Sequence, residues 1–310
     1  MTKIAIILPA YNEAQTIGET IREFHAACPS AELWVINNNS SDETENIANK
    51  ELNELGANGF VITEARQGKG NAVRRAFHEI DADIYVMADA DLTYPAERIN
   101  DLTQPIINGQ ADMVVGDRHS DGHYQQENKR PLHNFGNRLV QSLVNKLFNA
   151  NLVDIMTGYR AFSRRFVKSY PIMVEGFEIE TDMTLHALDK RFRIIEIPME
   201  YRDRPIGSVS KLNTLSDGTK VIFTIARILR YYRPLTFFGG AAVIVGLAGL
   251  IAALPVFDDW IREQYIHHIP LAILATGMEI MAVLLMAIGL ILDSITHQDK
   301  CAFEREQLNK

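Results

Sequence analysis

Two long apolar stretches near the end of the sequence constrain the fold of this chain more than any other feature. Residues 236–257 contain no charged side chain, and residues 269–292 contain only Glu279. As helices, both stretches are long enough to cross the roughly 30 Å hydrocarbon layer of a bilayer. A buried helical hairpin in a soluble core is the alternative, but both stretches are apolar on every side. We therefore predict two transmembrane helices within residues 235–295, followed by a tail over residues 296–310.

The charges that flank these stretches predict the orientation of the hairpin. Five basic residues precede the first stretch, namely Lys211, Lys220, Arg227, Arg230 and Arg233. The connecting residues 258–268 instead carry one arginine among Asp258, Asp259 and Glu263. Because basic residues are retained on the cytoplasmic side, we expect a multi-pass protein of the inner, cytoplasmic membrane. The domain before the hairpin and both termini would then be cytoplasmic.

The segment before the hairpin, residues 213–234, has the pattern of a basic amphipathic helix. Apolar residues such as Val221 and Ile228 lie among Lys220 and Arg227. Such a helix can lie on the inner face of the membrane, or it can dock on its own domain. Both interpretations stay open, and either one ties the preceding domain to the bilayer.

Glu279 is an ionisable residue at membrane depth, where such residues usually face protein rather than lipid. We predict a subunit contact or a structural hydrogen bond ahead of a role in handling lipid. Small residues nearby, such as Ala275 and Gly277, favour close helix packing. Such packing is compatible with a homo-oligomer.

The first two thirds of the chain alternate short apolar runs with helical patterns. The runs that we interpret as strands cover residues 3–8, 33–36, 60–62, 84–88, 112–116 and 192–199. Helical patterns of roughly ten to fifteen residues separate most of them, which is typical of βαβ units and a largely parallel sheet. We therefore predict an α/β, Rossmann-like domain over residues 1–212, with polar loops converging on one edge of the sheet.

Charge and cysteine content exclude other classes of protein. The net charge of -8 argues against a nucleic-acid-binding protein. Cys28 and Cys301 are far apart and lack metal-ligand spacing, so we expect a reducing compartment and no disulfide framework. Residues 1–10 are followed too soon by polar residues to be a signal peptide, and they form the first predicted strand.

The most informative polar motif follows the fourth predicted strand. Residues 84–88 lead into Asp89-Ala90-Asp91, and Pro95 opens the next helical pattern. Two carboxylates at alternate positions project to one side of an extended chain, at the edge where α/β sheets bind ligands. A divalent cation bridging a diphosphate would fit there. A lone D-x-D is ordinarily explained as a solvated turn with a helix-capping aspartate. Only the other motifs of this chain favour a metal site over that explanation.

Three further loops carry polar residues to the same predicted edge. The G-K-G of residues 68–70 lacks the spacing of a P-loop, so it supports phosphate positioning only weakly. Asn39 follows the second strand, where a turn often needs a left-handed backbone. Residues 176–182 place three carboxylates at the start of a helix, and a capping role explains one of them but hardly all. We therefore include Glu178 among the candidate catalytic residues.

Six motifs of this chain, taken together, resemble one family. In chain order they are P-A-Y-N-E at 9–13, G-K-G-N-A at 68–72, D-A-D-L-T-Y-P at 89–95, T-G-Y-R-A at 157–161, F-E-I-E at 177–180 and R-P-I-G-S-V-S-K at 204–211. Followed by two spans, they resemble the polyprenyl-phosphate glycosyltransferases, the dolichol-phosphate mannose synthase and undecaprenyl-phosphate glucosyltransferase group of glycosyltransferase family 2. The resemblance covers about residues 3–295 and implies a GT-A fold with a C-terminal two-helix transmembrane hairpin.

The resemblance implies roles for individual residues. Those assigned to the nucleotide or its phosphates are Pro9, Tyr11, Glu13, Asn38, Lys69, Asp89, Arg204, Ser210 and Lys211. Asp89 and Asp91 match the pair that binds Mg²⁺ or Mn²⁺ together with the diphosphate. Arg118 and Arg130 are candidates for contact with the acceptor phosphate.

Two departures from the family pattern concern the donor. Many relatives carry D-D-G-S-T-D after the second strand, where an aspartate contacts base or ribose, but residues 37–42 of this chain are N-N-N-S-S-D. Because an amide both donates and accepts hydrogen bonds, binding through Asn38 can survive, but this departure leaves the identity of the nucleotide open. Thr93 stands where dolichol-phosphate mannose synthases often have Gln. We therefore favour a uridine-linked sugar over guanosine-linked mannose.

The implied reaction is inverting transfer of one sugar from a nucleotide-sugar donor to a polyprenyl phosphate such as undecaprenyl phosphate, for modification of cell-envelope glycans. The metal would neutralise charge on the departing diphosphate. A phosphate acceptor is already anionic at neutral pH, so a strong general base is not needed. Arginines would position and partly desolvate this phosphate against the sugar. The two spans and the amphipathic helix would hold the site where the headgroup of the membrane lipid emerges.

Two other functions stay open. One is a family 2 transferase with a saccharide acceptor or a polymer product, although the sequence lacks the Q-x-x-R-W motif and the additional spans of processive synthases. The other is a membrane-tethered nucleotide-binding scaffold without catalysis, which the intact Asp89 and Asp91 disfavour. A two-span transporter is disfavoured because the spans contain a single charge.

Overall fold

The computed structural model describes residues 2–119, 131–176, 178–202 and 217–308. The chain forms two compact units, Met1–Thr214 and Leu215–Lys310. Within the described residues, the first unit contains seven strands and seven α-helices, and the second contains three helices.

The first unit is built on a seven-stranded sheet with the order β3-β2-β1-β4-β6-β5-β7. The strands are β1 Ile4–Ala10, β2 Glu32–Asn37, β3 Gly59–Thr63, β4 Ile84–Met87, β5 Met113–Asp117, β6 Arg160–Ser163 and β7 Ile194–Pro198. All adjacent strands are parallel except β6, which runs antiparallel to both β4 and β5. The prediction of an α/β domain with a mainly parallel sheet is therefore confirmed.

Local chemistry explains where the helices of this unit begin and end. They are α1 Ile17–Ala27, α2 Thr44–Leu55, α3 Lys69–Glu79, α4 Ile99–Ile107, α5 Pro131–Phe148, α6 Arg164–Ser169 and α7 Ile179–Asp189. Gly56 ends α2 with a φ of 59°, a left-handed backbone that glycine adopts without steric cost. Ser163 caps α6, because its hydroxyl accepts a hydrogen bond at 3.2 Å from the peptide nitrogen of Phe166.

The central strands are apolar because side chains on both of their faces are buried. All four residues of β4 are buried, and so are five of the seven residues of β1. Leu8, Val35, Val86 and Val114 belong to one continuous hydrophobic core. Burial on both faces is the reason that parallel strands have nearly continuous apolar sequences. The loops that leave these strands therefore start from a rigid support.

Two elements, β6 and α6, lie where the sequence predicted none. β6 is only four residues long and begins with Arg160, which is fully buried. A short strand that starts with a charged residue lacks the apolar run that identified the other strands. Its position between β4 and β5 depends on pairing with residues far away in the sequence, which local patterns do not encode.

The second unit consists of α8 Asp217–Tyr232, α9 Pro234–Glu263 and α10 Ile269–Leu308. Both α9 and α10 are long and apolar enough to cross a membrane. The two predicted spans, residues 236–257 and 269–292, lie inside these helices. α10 continues beyond its span, so the predicted tail is helical as far as Leu308.

Small residues line the contact between α9 and α10. The buried ones are Gly239, Ala242 and Gly249 on α9, and Ala275, Ala282 and Gly289 on α10. Small side chains allow the backbones of two helices to approach closely. Larger apolar side chains elsewhere on both helices, such as Leu250 and Ile273, are exposed.

Glu279 lies on the side of α10 that faces α9. A Cβ atom added to Gly249 would lie 2.7 Å from its Oε1 atom. That oxygen is buried and has no hydrogen-bond partner within the part of the chain that the structure describes. The structural hydrogen bond predicted for Glu279 is therefore not formed there, and the subunit contact stays a prediction.

Candidate active site

The loops that follow β1, β2 and β4 meet at one edge of the sheet, because these strands are parallel neighbours. Hydrogen bonds join the loops to one another. The peptide nitrogen of Glu13 donates to Oγ1 of Thr44 at 2.8 Å. The hydroxyl of Thr16 donates to the carbonyl oxygen of Ala90 at 2.6 Å. The segment between β1 and α1, which carries the P-A-Y-N-E motif, is thus tied both to the start of α2 and to the D-A-D motif.

Asp91 is almost fully buried, and its carboxylate is held by a tight turn. Its Oδ1 atom accepts hydrogen bonds from the hydroxyl of Thr93 at 2.6 Å and from the peptide nitrogen of Thr93 at 3.3 Å. Leu92, between them, has a φ of 63°, which is uncommon for a residue with a side chain. Thr93 therefore orients Asp91.

Asp89 is more accessible, since 30% of its side chain is exposed. A Cβ atom added to Gly158 would lie 2.7 Å from its Oδ2 atom and 3.0 Å from its Oδ1 atom. The peptide nitrogen of Gly158 also donates to the hydroxyl of Tyr94 at 2.9 Å. The glycine of T-G-Y-R-A is therefore required so that the Asp89 carboxylate can pack against the backbone.

The ammonium group of Lys69 lies between two carboxylates. It forms one ion pair with Asp89 and a second with Oε1 of Glu180 at 2.5 Å, and both Lys69 and Glu180 are buried. Burial alone would lower the pKa of Lys69, but the charges of Asp89 and Glu180 outweigh it and raise that pKa above its usual value. Lys69 is therefore positively charged at physiological pH.

The glycines on either side of Lys69 are required by packing. A Cβ atom at Gly68 would lie 2.1 Å from the carbonyl oxygen of Glu175, and one at Gly70 would lie 2.1 Å from that of Val174. The φ of Gly68 is 125°, a value that favours glycine. The G-K-G motif thus lets the chain pass close to the segment that leads into α7 and Glu180. The phosphate contact of Lys69 stays a prediction.

The residue predicted from the F-E-I-E motif is Glu178, whereas the carboxylate that contacts Lys69 belongs to Glu180. Glu178 is exposed immediately before α7, and its catalytic role stays a prediction. Glu180 is buried, as are most residues of α7, including Met183, Thr184 and Ala187. Because α7 is buried on nearly all sides, its sequence has no single apolar face, and no local pattern distinguishes Glu180 from Glu178 as the inward-facing carboxylate.

The predicted nucleotide residues Pro9, Tyr11 and Glu13 lie at the end of β1 and in the loop after it. Pro9 is in register with Ile36 of β2. The hydroxyl of Tyr11 accepts a hydrogen bond from Nε2 of Gln67 at 3.2 Å, which links this loop to the G-K-G loop. Contact of these residues with a nucleotide stays a prediction.

Asn38 is buried and connects the loop after β2 to the loop that carries Lys69. Its Nδ2 atom donates to the carbonyl oxygen of Arg66 at 2.7 Å, and its Oδ1 atom accepts from the peptide nitrogen of Gly68 at 2.7 Å. Asn39 has a φ of 56°, so the predicted left-handed turn is confirmed. The amide of Asn38 shapes the site, and its contact with base or ribose stays a prediction.

Arg118 forms a two-pronged ion pair with Asp154. Its Nε atom donates to Oδ2 at 2.7 Å and its Nη2 atom donates to Oδ1 at 3.0 Å. Burial would raise the pKa of Asp154, but the charge and hydrogen bonds of Arg118 outweigh it and keep that pKa below its usual value. The contact of Arg118 with an acceptor phosphate stays a prediction. Four other predicted site residues, Arg130, Arg204, Ser210 and Lys211, lie outside the described residues.

Asp89 and Asp91 supply ligands of the type that Mg²⁺ and Mn²⁺ prefer, because carboxylate oxygens are hard donors. No group of three or more His, Cys, Asp or Glu side chains within the described ranges is placed to hold a metal ion. Mg²⁺ commonly binds one or two carboxylates and completes its coordination with substrate phosphates and water. The pair therefore fits a metal that arrives with a diphosphate.

Relatives of known sequence agree with the resemblance predicted from the motifs. Glycosyltransferase AglJ of Haloferax volcanii is 29% identical over 313 residues, which is 99% of this chain and 96% of that protein. The dolichyl-phosphate hexose transferase of the same organism is 28% identical over 225 residues, 73% of this chain and 93% of that protein. The undecaprenyl-phosphate 4-deoxy-4-formamido-L-arabinose transferase of Enterobacter sp. is 26% identical over 256 residues, 79% of this chain and 73% of that protein.

A solved structure and a family model complete the comparison. Glucosyl-3-phosphoglycerate synthase from Mycobacterium tuberculosis, in complex with Mn²⁺, uridine-diphosphate-glucose and phosphoglyceric acid, has a TM-score of 0.54 and 24% identity, over 74% of this chain and 79% of that one. This likeness confirms the GT-A-like α/β fold. The model described as glycosyl transferase family 2 matches residues 5–170, more than half of the chain. The chain therefore belongs to glycosyl transferase family 2.

Proposed function

We propose that this enzyme transfers one sugar, with inversion, from a uridine-linked donor to a polyprenyl phosphate such as undecaprenyl phosphate. One observation carries the proposal. A single family 2 chain contains both the Asp89 and Asp91 pair at the sheet edge and two helices long enough to cross a membrane. A polyprenyl phosphate is dissolved in the bilayer, so tethering raises the local concentration of acceptor around the enzyme.

The identity of the acceptor is supported by the names of relatives. One of them transfers a hexose to dolichyl phosphate, and another transfers a modified arabinose to undecaprenyl phosphate, as their names state. Basic residues before the hairpin, such as Arg227 and Arg233, favour a cytoplasmic position for the catalytic domain and both termini. Nucleotide sugars would then reach the site from the cytoplasm.

The choice of a uridine-linked donor is supported by Thr93. Thr93 stands where dolichol-phosphate mannose synthases often have Gln, and its hydroxyl orients Asp91. The Mycobacterium synthase of the same fold holds uridine-diphosphate-glucose with Mn²⁺. These observations favour uridine over guanosine.

A divalent ion held by Asp89 and Asp91 would neutralise the charge that develops on the leaving diphosphate. The positively charged Lys69, fixed beside Asp89, would add to this effect without reorganising during the reaction. Thr93 keeps the Asp91 carboxylate in one orientation throughout. The chain thus supplies a preorganised, charged surface for the diphosphate.

The acceptor phosphate would attack the anomeric carbon from the side opposite the diphosphate. A bond forms between a phosphate oxygen and the anomeric carbon while the bond from that carbon to the diphosphate breaks, which inverts the configuration. Because the phosphate is already an anion, no side chain has to remove a proton. Arg118, held rigidly by Asp154, would position this phosphate.

The test is transfer of label into lipid. Full-length protein in detergent is incubated with undecaprenyl phosphate, Mg²⁺ or Mn²⁺, and a panel of labelled uridine- and guanosine-linked sugars. We expect label from one uridine-linked sugar in the organic phase. Label from no donor would contradict the proposal.

Replacing Asp91 by Asn tests the role of the carboxylate pair. Asn keeps an oxygen for Thr93 but loses the charge, so we expect transfer to fall at least about 100-fold, as removal of several kcal/mol of charge stabilisation would require. Asp101→Asn is the matched control, because Asp101 pairs with Arg98 on the exposed surface of α4. Unchanged transfer by Asp91→Asn would exclude the assigned metal site.

A further inference from the structure

Lys69 and a divalent cation would have to share the carboxylate of Asp89. The Lys69 ammonium is already paired with Oδ1 of that carboxylate. Its side chain is only 7% exposed, so it is not free to turn into solvent when a second cation approaches. The partner on its other side is the equally buried Glu180, at 2.5 Å.

We infer that Lys69 is a resident counter-ion of Asp89 that opposes binding of the metal until the nucleotide diphosphate arrives, and that Glu180 is the positioning residue that holds Lys69 there. The inference rests on the proposed function, because it takes the donor to be a metal-bound nucleotide diphosphate. It makes binding of metal and nucleotide a coupled event.

The opposition follows from Coulomb repulsion at short range. A cation bound to the Asp89 carboxylate would lie a few ångströms from the ammonium, and two charges at such a distance in a partly buried site interact far more strongly than in bulk water. Salt screens buried charges poorly. Metal binding to the nucleotide-free site is therefore weak.

The diphosphate removes this opposition because it brings negative charge to both cations. An ammonium has three N–H donors, of which two point to Asp89 and Glu180. Among the described residues the third has no partner, so it is available to a phosphate oxygen. By linkage, the nucleotide must raise the affinity for metal by the same factor as the metal raises the affinity for nucleotide.

The two residues have opposite effects on a metal ion. Removing the charge of Lys69 removes the repulsion, so the metal should bind more tightly without nucleotide. Removing the charge of Glu180 leaves the ammonium less neutralised, so the metal should bind more weakly. A merely structural role for this pair would weaken binding in both variants.

The experiment measures Mn²⁺ binding to the full-length protein in detergent, with the EPR signal of free Mn²⁺ as readout, with and without UDP. For wild type we expect UDP to tighten Mn²⁺ binding at least about tenfold. Lys69→Met should bind Mn²⁺ at least about tenfold more tightly than wild type when UDP is absent, and should lose most of the effect of UDP. Glu180→Gln should bind it more weakly than wild type.

Two controls separate charge from damage to the fold. Lys69→Arg keeps the charge and should keep the wild-type pattern. Lys50→Met removes an exposed lysine of α2 that pairs with Glu54 at 3.7 Å and should change nothing. Thermal unfolding identifies any variant that is not folded. Lys69→Gln, which also removes the charge, tests the sign if Lys69→Met does not fold.

The outcomes distinguish this inference from the proposed function. If wild type binds Mn²⁺ equally well with and without UDP, or if Lys69→Met binds it no more tightly than wild type, the inference is wrong while the metal site stands. If wild type binds no Mn²⁺ even with UDP, the proposed metal dependence itself is wrong, and the inference is lost with it.

Discussion

The missing side chain of Gly158 creates the space in which the carboxylate of Asp89 lies. A Cβ atom there would be within 3.0 Å of both carboxylate oxygens. The buried ammonium of Lys69 pairs with Oδ1 of the same carboxylate. At the scale of single residues, the site is thus defined by close approaches between backbone and charged groups, which leave Asp89 little freedom.

Gly158→Ala should therefore impair the reaction more than the fold. The added methyl group would push the Asp89 carboxylate away from its place, and we expect transfer to fall at least tenfold, since an ångström of misplacement can cost about 100-fold. The measurement is the initial rate of sugar transfer, together with the unfolding temperature. Gly56→Ala is the control. A Cβ atom at Gly56 would meet no other atom within 4 Å, but the φ of 59° is unfavourable for alanine. This variant should therefore lose about 1 kcal/mol of stability and keep the wild-type rate.

Asp154 gives a prediction for the pH dependence of stability. The pKa of Asp154 in the folded protein lies below the ordinary value of 3.8. The ionised carboxylate therefore stabilises the fold fully above pH 3.8, and this stabilisation is lost as the pH falls through the folded-state pKa. Asp154→Asn removes the negative charge that faces the largely buried Arg118 and should lower the free energy of unfolding by about 3 kcal/mol at pH 7. Urea unfolding at several pH values measures the difference.

The difference between wild type and Asp154→Asn should shrink as the pH falls below 3.8. A difference that is constant from pH 7 to pH 3 would show that the charge of Asp154 is not what stabilises this pair. The exposed carboxylate of Asp101 serves for comparison, because a surface ion pair contributes only about 0–1 kcal/mol.

At the scale of elements, β6 explains why part of the site was not predictable. Arg160 can be buried at the start of this strand because oxygen atoms accept hydrogen bonds from its guanidinium. Nε donates to the carbonyl of Thr157 at 2.9 Å and Nη2 to the carbonyl of Ile155 at 2.8 Å. Nη1 donates to the hydroxyl of Thr184 at 2.8 Å. These partners come from two separate segments. A local pattern contains no information about them, so it could not identify a strand that begins with arginine.

Other elements were predictable because their signals are local. The alternation of apolar runs and helices gave the parallel sheet, and the turn at Asn39 followed from backbone preferences of one residue. The contacts of Glu180 and Lys69 were not predictable in this way, because Lys69 meets Asp89 and Glu180 only after three separate elements have packed. Pairwise contacts of that kind depend on the assembled fold.

The contact of small residues between α9 and α10 predicts that a larger side chain at Gly249 is destabilising, and Gly240 on the same helix serves as the control. A Cβ atom at Gly249 would already lie 3.1 Å from Cβ of Met278, whereas one at Gly240 would meet nothing within 4 Å. Gly249→Leu should therefore lower the unfolding temperature in detergent, because overpacking costs about 1–3 kcal/mol. Gly240→Leu should be neutral. Equal unfolding temperatures for the two variants would show that α9 and α10 do not pack along Gly249.

At the scale of the whole molecule, one chain joins a family 2 catalytic fold to two helices that are long and apolar enough to cross a membrane. The hairpin was predictable because membrane length and hydropathy are properties of a continuous stretch. The acceptor was not predictable in this way, because a sheet edge with two carboxylates is compatible with many acceptors. The proposed function therefore depends on the acceptor being a lipid phosphate.

The most direct measurement compares undecaprenyl phosphate with undecaprenol as acceptor, using the labelled donor that wild type prefers and Asp91→Asn as the inactive control. An enzyme whose nucleophile is already an anion should label the phosphate and leave the alcohol, which would first have to lose a proton, unlabelled. Label in the phosphate alone, released as free sugar by mild acid, is the result that we predict. Equal labelling of the alcohol, or label only in a water-soluble saccharide, would contradict lipid-phosphate transfer.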